Sequence, residues 1–219
     1  MEDITMTKEL TIAVVGATGA VGQEILKVME ERKIPYKELR LLASARSAGT
    51  EIEYQGKTYV VQETTENSFD DVDLALFAGG PASRAYGRLA QSKGCVVIDN
   101  SSTFRLEPDV PLVVPEVNPE ALKDHKGLIA NPNCSTILLV SALYPLYKKS
   151  KVKRVIVSTY QAVSGAGKEA IDKVHSHPGL HNTKRWQCAL HLPSRHSSHR
   201  HRSSSLSGGA CDCRWPIVR

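Results

Sequence analysis

No run of apolar residues in this 219-residue chain approaches the roughly 20 that a helix needs to cross a bilayer, although 41% of the residues are hydrophobic. The segment Met1–Leu10 alternates acidic, basic and polar types, without the apolar core or the small-residue cleavage site of a secretory signal. Both absences disfavour a membrane or secreted protein. We therefore expect a cytoplasmic location.

Cysteine is also scarce. The chain has five cysteines, an odd number, and no secretory signal, so a disulfide framework is disfavoured and one reactive thiol is worth seeking. Cys95 stands at the entry to a predicted strand, where a buried structural role is expected. Cys134 stands in a different context, which is described below.

Basic residues are concentrated at one end of the chain. The net charge is +5, but after residue 172 eight Lys or Arg face one acid, so the preceding residues sum to about −2. This distribution gives no support for nucleic-acid binding by the body of the protein. Residues 173–219 also hold seven of the eight histidines and show no apolar periodicity. We expect this tail to be disordered, either as a basic low-complexity extension or as the product of a shifted frame or aberrant splicing.

Between Lys8 and about Gly167, short β-branched runs alternate with amphipathic stretches, which predicts an α/β fold with a Rossmann-type, doubly wound parallel sheet. Helices are predicted at Val21–Arg32 and Ala82–Lys93. An apolar helical run also spans Ile137–Leu146. The predicted strands are Leu10–Val15, Leu39–Ala43, Asp73–Phe77, Val96–Asp99, Gly127–Ala130 and Val152–Tyr160.

A glycine-rich loop joins the first predicted strand to the first predicted helix. Gly16 and Gly19 let the backbone turn sharply and approach a pyrophosphate, and Gly22 allows close helix packing. This placement predicts a Rossmann-type dinucleotide site, the alternative being a plain tight turn. Where an NAD enzyme carries an acid, the chain has Ser44, Arg46 and Ser47. A guanidinium and hydroxyls suit a 2′-phosphate, so NADP is the favoured cofactor. The alternative is that Arg46 is a solvated surface residue without a role in binding.

The segment Asn131-Pro132-Asn133-Cys134 ends an extended stretch and precedes the apolar helical run. Cys134 is therefore expected in the first turn of a helix, where the macrodipole stabilises a thiolate. This is the position of a nucleophile.

Over residues 8 to about 172 the chain resembles the aspartate-semialdehyde dehydrogenases. Six ordered motifs carry the resemblance. They are Ala13–Gly22, Ser44–Gly49, Asp99–Arg105, Val114–Asn118, Asn131–Thr136 and Ser158–Gly167.

The resemblance implies roles for particular residues. Cys134 would be the acyl-enzyme nucleophile, and Gln161 would orient the substrate. Arg105 and Asn133 would bind phosphate or the substrate anion. The implied NADP contacts are Thr18, Gly19, Ala20, Val21, Arg46, Ser47, Ser164 and Gly165, which join Gly16, Gly22 and Ser44 of the two loops above, and no metal site is implied.

The implied chemistry is that of a phosphorylating, NADP-dependent aldehyde dehydrogenase. The thiolate attacks the aldehyde, the thiohemiacetal gives up a hydride to NADP and becomes a thioester, and phosphate releases the acyl phosphate. In lysine, threonine and methionine biosynthesis the reaction runs backwards, reducing 4-phospho-L-aspartate to L-aspartate 4-semialdehyde.

The implied organisation is an NADP-binding domain over 1–133, the start of an incomplete α/β catalytic and dimerisation domain over 134–172, and the non-family tail over 173–219. The family is homodimeric. Its general acid/base histidine has no match in this sequence, and we assign none of the tail histidines that role. Weak or absent turnover by this chain is therefore expected.

Four alternatives stay open at this point. An N-acetyl-glutamyl-phosphate reductase shares the cysteine chemistry, and a catalytically dead remnant could bind NADP or pair with another subunit. Tyr144 and Lys148 fit the spacing of a short-chain dehydrogenase, but Pro145 disfavours the helix that such a pair requires. Metal capture by the closely spaced His196, His199 and His201 is the fourth.

Overall fold

The computed structural model describes residues 9–162 and 183–191, with side chains up to Thr159. Six strands form one parallel sheet, and two antiparallel pairs lie outside it. The elements are β1 (Leu10–Val15), α1 (Ala20–Glu31), β2 (Tyr36–Ala43), β3 (Glu51–Tyr54), β4 (Lys57–Val60), β5 (Gln62–Glu63), β6 (Leu74–Phe77), α2 (Gly80–Ser92), β7 (Val96–Asp99), β8 (Leu128–Ala130), α3 (Cys134–Ser150), β9 (Arg154–Ala162) and β10 (Thr183–His191).

The parallel sheet has the order β5-β2-β1-β6-β7-β8. Its central strand, β1, is buried on both faces. Ala13 and Val15 lie in one core cluster with Phe77, whereas Ile12 and Val14 lie in another. Successive side chains of a strand point to opposite faces, so the two clusters lie on opposite sides of the sheet.

The helices α1 and α2 cover opposite faces of this sheet. Leu26 and Met29 of α1 lie in the cluster of Ile12, and Ala90 of α2 lies in the cluster of Val15. A helix layer on each face of a parallel sheet is the doubly wound arrangement that the sequence predicted. The six predicted strands and both predicted helices are confirmed, with bounds that differ by a few residues.

The pattern gave no sign of three short strands between residues 51 and 63. β3 and β4 form a hairpin around Gln55 and Gly56, whose φ angles are +51° and +72°. Consecutive positive φ angles belong to a type I′ turn, which usually has Asn or Asp before its Gly. Because Gln55 stands at this position, the turn was not recognisable from the sequence. Tyr54 of this hairpin packs into the cluster of Ile12.

α3 runs through Pro145, so the helix that this proline was expected to disfavour does form. A proline removes one backbone hydrogen bond, and an exposed position within a 17-residue helix tolerates that loss. The Lys148 Nζ lies 4.4 Å from the centre of the Tyr144 ring, a cation–π contact that favours a packing role for the pair. No helix among residues 9–162 is long and apolar enough to span a membrane.

β10 pairs with β9 along its whole length in antiparallel register. This strand lies inside the segment for which disorder was expected. The sequence there alternates Trp186, Cys188 and Leu190 with Arg185 and Gln187, a period of two that suits a strand. The count of histidine and serine over the whole tail obscured that local pattern. Apart from 183–191, the tail lies outside the described residues.

Candidate functional site

The candidate site lies at the carboxyl edge of the parallel sheet. The loops that follow β1, β2, β6, β7 and β8 all leave from this edge, because parallel strands end on the same side. The strand order reverses between β1 and β6, since β2 and β5 lie on one side of β1 and β6 to β8 on the other. Such a reversal leaves a crevice between diverging loops, which is where doubly wound sheets bind ligands.

The predicted glycine loop forms a tight turn between β1 and α1. Gly16 has φ +86°, a backbone conformation that is unfavourable for residues with a Cβ atom. At Gly22, a Cβ atom would lie 2.2 Å from the carbonyl oxygen of Gly16. Glycine at position 22 is therefore required for α1 to begin so close to the end of β1.

The start of α1 presents backbone donors at this edge. The first intrahelical bond runs from the Gln23 N–H to the Gly19 carbonyl, 2.9 Å away, and Gly19 has no side chain with which to cap the helix. Within the described residues, no hydrogen bond takes up the N–H groups of Ala20, Val21 and Gly22. Together with the positive helix end, such amides suit a phosphate. Thr18 precedes them, half-buried in the same turn.

The loop after β2 lies beside the glycine turn, because the Gly16 N–H donates to the Leu42 carbonyl over 2.8 Å. Ser44 and Arg46 are exposed and Ser47 is half-buried. No ion pair or hydrogen bond among the described residues engages the Arg46 side chain. The predicted cofactor residues on these two loops are therefore neighbours in space.

A second glycine pair at this edge was not predicted as part of the site. Gly79 is the N-cap of α2, and Gly80 and Pro81 begin the helix. A Gly-Gly-Pro sequence between a strand and an amphipathic helix was the signal that could have revealed it. The start of α2 thus faces the same crevice as the start of α1.

Cys134 is exposed and is the first residue of α3. Asn133 caps the helix, since its Oδ1 accepts from the Ser135 N–H over 3.0 Å. The Cys134 Sγ lies 4.0 Å from the same Oδ1. The thiol is therefore at the positive end of α3, and Asn133, predicted to bind substrate, has its side-chain oxygen engaged in the cap.

Cys95 provides a contrast. It is 1% exposed, and its Sγ donates to the Phe69 carbonyl over 3.5 Å. Burial raises the pKa of the Cys95 thiol. The predicted structural role of Cys95 is confirmed, and Cys134 is the exposed thiol of residues 9–159.

Arg105 is 8% exposed and lies at the carboxyl edge, in the loop after β7. Its Nε donates to the Asn131 carbonyl over 2.9 Å, and its Nη2 donates to the Asn100 carbonyl over 3.2 Å. The guanidinium therefore ties the loop after β7 to the loop after β8, which leads to Cys134. Its role in anion binding stays a prediction.

The loop that carries Arg105 is anchored on both sides. A Cβ atom on Gly87 of α2 would lie 2.5 Å from the ring of Phe104, so the ring packs directly onto the helix backbone. The Arg88 guanidinium lies over the same ring and bonds Asp109 over 2.8 Å. Removing the space above Gly87 would displace the loop.

A buried carboxylate supports the same loop. Asp99, 0% exposed, accepts hydrogen bonds from the Ser83 hydroxyl (2.6 Å) and from the Ser101 N–H (3.0 Å). The Ser101 hydroxyl lies 2.8 Å from the second carboxylate oxygen. The motif that includes Asp99 was recognised, but its structural function was not, because the partner Ser83 comes from another element.

The remaining predicted residues are only partly placed. Gln161 lies in β9, opposite Lys184 of β10, and its side chain is not described. Ser164 and Gly165 lie outside the described residues, as do His196, His199 and His201. His125 precedes β8 and thus lies at the amino edge of the sheet, away from Cys134.

Comparisons with protein-family models match two parts of the chain. Residues 11–125 match the semialdehyde dehydrogenase NAD-binding domain, and residues 143–207 match the semialdehyde dehydrogenase dimerisation domain. The second match extends beyond residue 172, into the tail that the motif resemblance did not cover.

Individual relatives agree with these matches. The aspartate-semialdehyde dehydrogenase of Prochlorococcus marinus is 55% identical over 168 residues, 76% of this chain and 49% of the relative. A structure of aspartate semialdehyde dehydrogenase II from Vibrio cholerae, complexed with ASA, is 45% identical with a TM-score of 0.72, over 78% of this chain and 52% of that one. The enzyme from Candida albicans with NADP is 28% identical with a TM-score of 0.56, over 72% and 52%. The chain spans about half the length of the curated relatives it matches.

Proposed function

The chain belongs to the semialdehyde dehydrogenase family, and on this premise we propose that it carries the cofactor site and the nucleophile of an NADP-dependent aspartate-semialdehyde dehydrogenase. The reaction interconverts L-aspartate 4-semialdehyde and 4-phospho-L-aspartate. One observation carries the proposal. Cys134 is exposed at the first turn of α3, on the same edge of the sheet as the glycine turn after β1.

The glycine turn fits a dinucleotide. The space at Gly22 is closed to any side chain, and the amides of Ala20 to Gly22 have no hydrogen-bond partner in the described residues. These are the features that a pyrophosphate requires at the start of a helix. When bound, the nicotinamide supplies the oxidant, which accepts a hydride.

NADP is the proposed form of the cofactor. Arg46 is exposed next to the glycine turn, with no acid between Ser44 and Ser47. A guanidinium forms charge-assisted hydrogen bonds with a 2′-phosphate, and the two serine hydroxyls can add to them. The Candida albicans relative, whose structure contains NADP, agrees with this choice.

Cys134 acts as the nucleophile in this proposal. Its thiolate attacks the aldehyde carbon, and loss of a hydride from the thiohemiacetal leaves a thioester on the sulfur. Inorganic phosphate then attacks the thioester carbonyl, which releases the acyl phosphate and restores the thiolate. Arg105, at the same edge, is the proposed partner for the incoming phosphate or the substrate carboxylate.

The second candidate is a subunit that binds NADP without turnover. The one histidine with a described side chain, His125, lies at the opposite edge of the sheet from Cys134 and accepts a hydrogen bond from the Gly127 N–H over 3.0 Å. Residues 9–159 therefore offer no histidine as a proton donor near Cys134. In either case we propose that the chain pairs as a homodimer through the region that matches the dimerisation domain.

One experiment separates the two candidates. NADP binding is titrated by calorimetry, and NADPH formation is followed with aspartate semialdehyde, with and without phosphate. Phosphate-dependent NADPH formation should fall about a thousandfold or more in Cys134→Ser. The matched variant Cys95→Ala, which removes the buried thiol, should retain it. Binding without turnover would favour the second candidate, and absence of NADP binding would contradict both.

A further inference from the structure

Three residues at the carboxyl edge form a connected group, which we call the edge cluster: Asn100, Arg105 and Asn131. The Asn131 Nδ2 donates to the Asn100 Oδ1. The Asn100 Nδ2 in turn donates to the carbonyl of Phe77, at the end of β6, over 3.0 Å. Both ends of the Asn100 amide are therefore engaged, which fixes its orientation and links the ends of three neighbouring strands.

The nucleophile loop is held at each step between β8 and α3. The Asn131 N–H donates to the Asp99 carbonyl over 3.2 Å, and the Asn131 carbonyl accepts from Arg105. Pro132 is buried, and Asn133 caps α3. Any shift of Asn131 is thus passed to Cys134 through a short and constrained segment.

The same cluster also fixes Arg105. Its guanidinium donates to the backbone carbonyls of both asparagines. A change in the separation of the two loops must therefore change the direction of the guanidinium as well as the position of the thiol. The amide bridge between Asn100 and Asn131 spans that separation.

We propose that Asn100 and Asn131 are positioning residues, whose amide bridge holds the Cys134 thiol at the distance from Arg105 that the reaction needs. This inference rests on the proposed function, because it concerns the nucleophile and the anion site of that reaction. A displacement of about 1 Å between reacting groups can lower a rate by about a hundredfold. A bridge that acts only on geometry should therefore affect turnover more than binding.

Isosteric substitutions test the bridge with little change in shape. In Asn131→Asp a carboxylate oxygen replaces the Nδ2 donor and faces the Asn100 Oδ1, and in Asn100→Leu the Oδ1 acceptor is lost. Either change removes the amide bridge, and Asn100→Leu also removes the hydrogen bond to the Phe77 carbonyl. Asn67→Asp is the matched control, since Asn67 is exposed and its side chain has no hydrogen bond in the described residues.

The first measurement is amide hydrogen exchange on the complete 219-residue chain. Each bridge variant should raise exchange within residues 131–137 about fivefold to tenfold, and the double variant should raise it no further than Asn100→Leu alone, because both changes break the same amide bridge. Exchange in β1 should not change in any variant. Asn67→Asp should match the parent throughout.

The second measurement is the kinetics of NADPH formation. Each bridge variant should lower kcat about tenfold, with KM for aspartate semialdehyde and Kd for NADP within about twofold of the parent. A parent chain without NADPH formation would count against the proposed function, and the exchange experiment would still decide on the bridge. The inference is overturned by unchanged exchange at 131–137, by equal increases in β1, or by effects that multiply in the double variant.

Discussion

The parallel sheet and the segment from α3 to β9 differ sharply in how much of their apolar surface is covered. From Ile12 to Val15 every residue of β1 has 0% exposure. In α3, by contrast, Val140 is the one buried residue, and Leu138 is 75% exposed. Ile156 of β9 is 78% exposed. The sheet completes its core within the described residues, whereas α3 and β9 do not.

This difference bears on where the site obtains its rigidity. The glycine turn and Asn131 donate to carbonyls at the ends of β2 and β7, and Arg105 donates to the carbonyls of the residues that directly follow β7 and β8. Cys134 belongs to α3 by position but is held by the loop that leaves the sheet. The Cys134 thiol is therefore positioned by the well-packed region, although its helix is apolar on nearly all sides and is suited to further burial.

Gly22→Ala should have the largest effect on the covered region. The new Cβ would lie 2.2 Å from a backbone oxygen, which cannot move away as a side chain could. We expect the free energy of unfolding to fall by about 3 kcal/mol and NADP binding to be lost. Denaturant unfolding and calorimetry measure the two effects. Gly79→Ala is the stability control, because nothing lies within 4 Å of its Cβ position, and equal losses in both variants would refute the close-approach explanation.

Arg46→Ala tests whether the loop beside the sheet selects the phosphate of NADP. Loss of charge-assisted hydrogen bonds worth about 1.5 to 3 kcal/mol should raise Kd for NADP about tenfold to a hundredfold, with little change for NAD. Competitive titration of both cofactors provides the measurement. Lys27→Ala removes an exposed positive charge from the middle of α1 and should change neither Kd. A parallel loss of both cofactors in Arg46→Ala would contradict the proposed selectivity.

Gly87→Ala should displace Phe104 and loosen the loop that carries Arg105. The new Cβ would meet the ring at 2.5 Å, but a side chain can rotate in part, so the expected loss is about 1 to 2 kcal/mol in the free energy of unfolding. Thermal and denaturant melts measure it. A variant as stable as the parent would show that the ring does not need the space over Gly87.

Leu138→Ser should have the smallest effect and tests the uncovered region directly. For a side chain that is 75% exposed, we expect a change of less than about 0.5 kcal/mol in the free energy of unfolding, together with improved solubility. A loss above about 2 kcal/mol would mean that Leu138 is buried in solution. In that case the contrast between the two regions would disappear on association.

Much of the sheet could be predicted because its signals are local. The β-branched runs of β1 and β7 and the glycine loop each lie within a few consecutive residues. The β3–β4 hairpin could not be predicted, since Gln55 occupies a turn position where Asn or Asp is usual. Pro145 was misleading for a different reason. A proline does disfavour a helix locally, but the other residues of α3 outweigh that cost.

The candidate site shows the same division. Cys134 and Gly22 were predicted from their immediate neighbours. Asn100 and Asn131 were seen only as members of sequence motifs. Their roles depend on an amide bridge between two loops, and the two residues are 31 positions apart in the chain. Contacts of that kind depend on the strand order, which the sequence pattern does not specify.

The most direct test is to trap the acyl enzyme. The chain is incubated with aspartate semialdehyde and NADP without phosphate and is quenched in acid. After proteolysis, the masses of its cysteine-containing peptides are measured by mass spectrometry. We expect the mass of an aspartyl thioester on Cys134, none on Cys95, and release of the adduct when phosphate is added. NADPH formation without an adduct on Cys134, or an equal rate in Cys134→Ser, would show that this thiol is not the nucleophile.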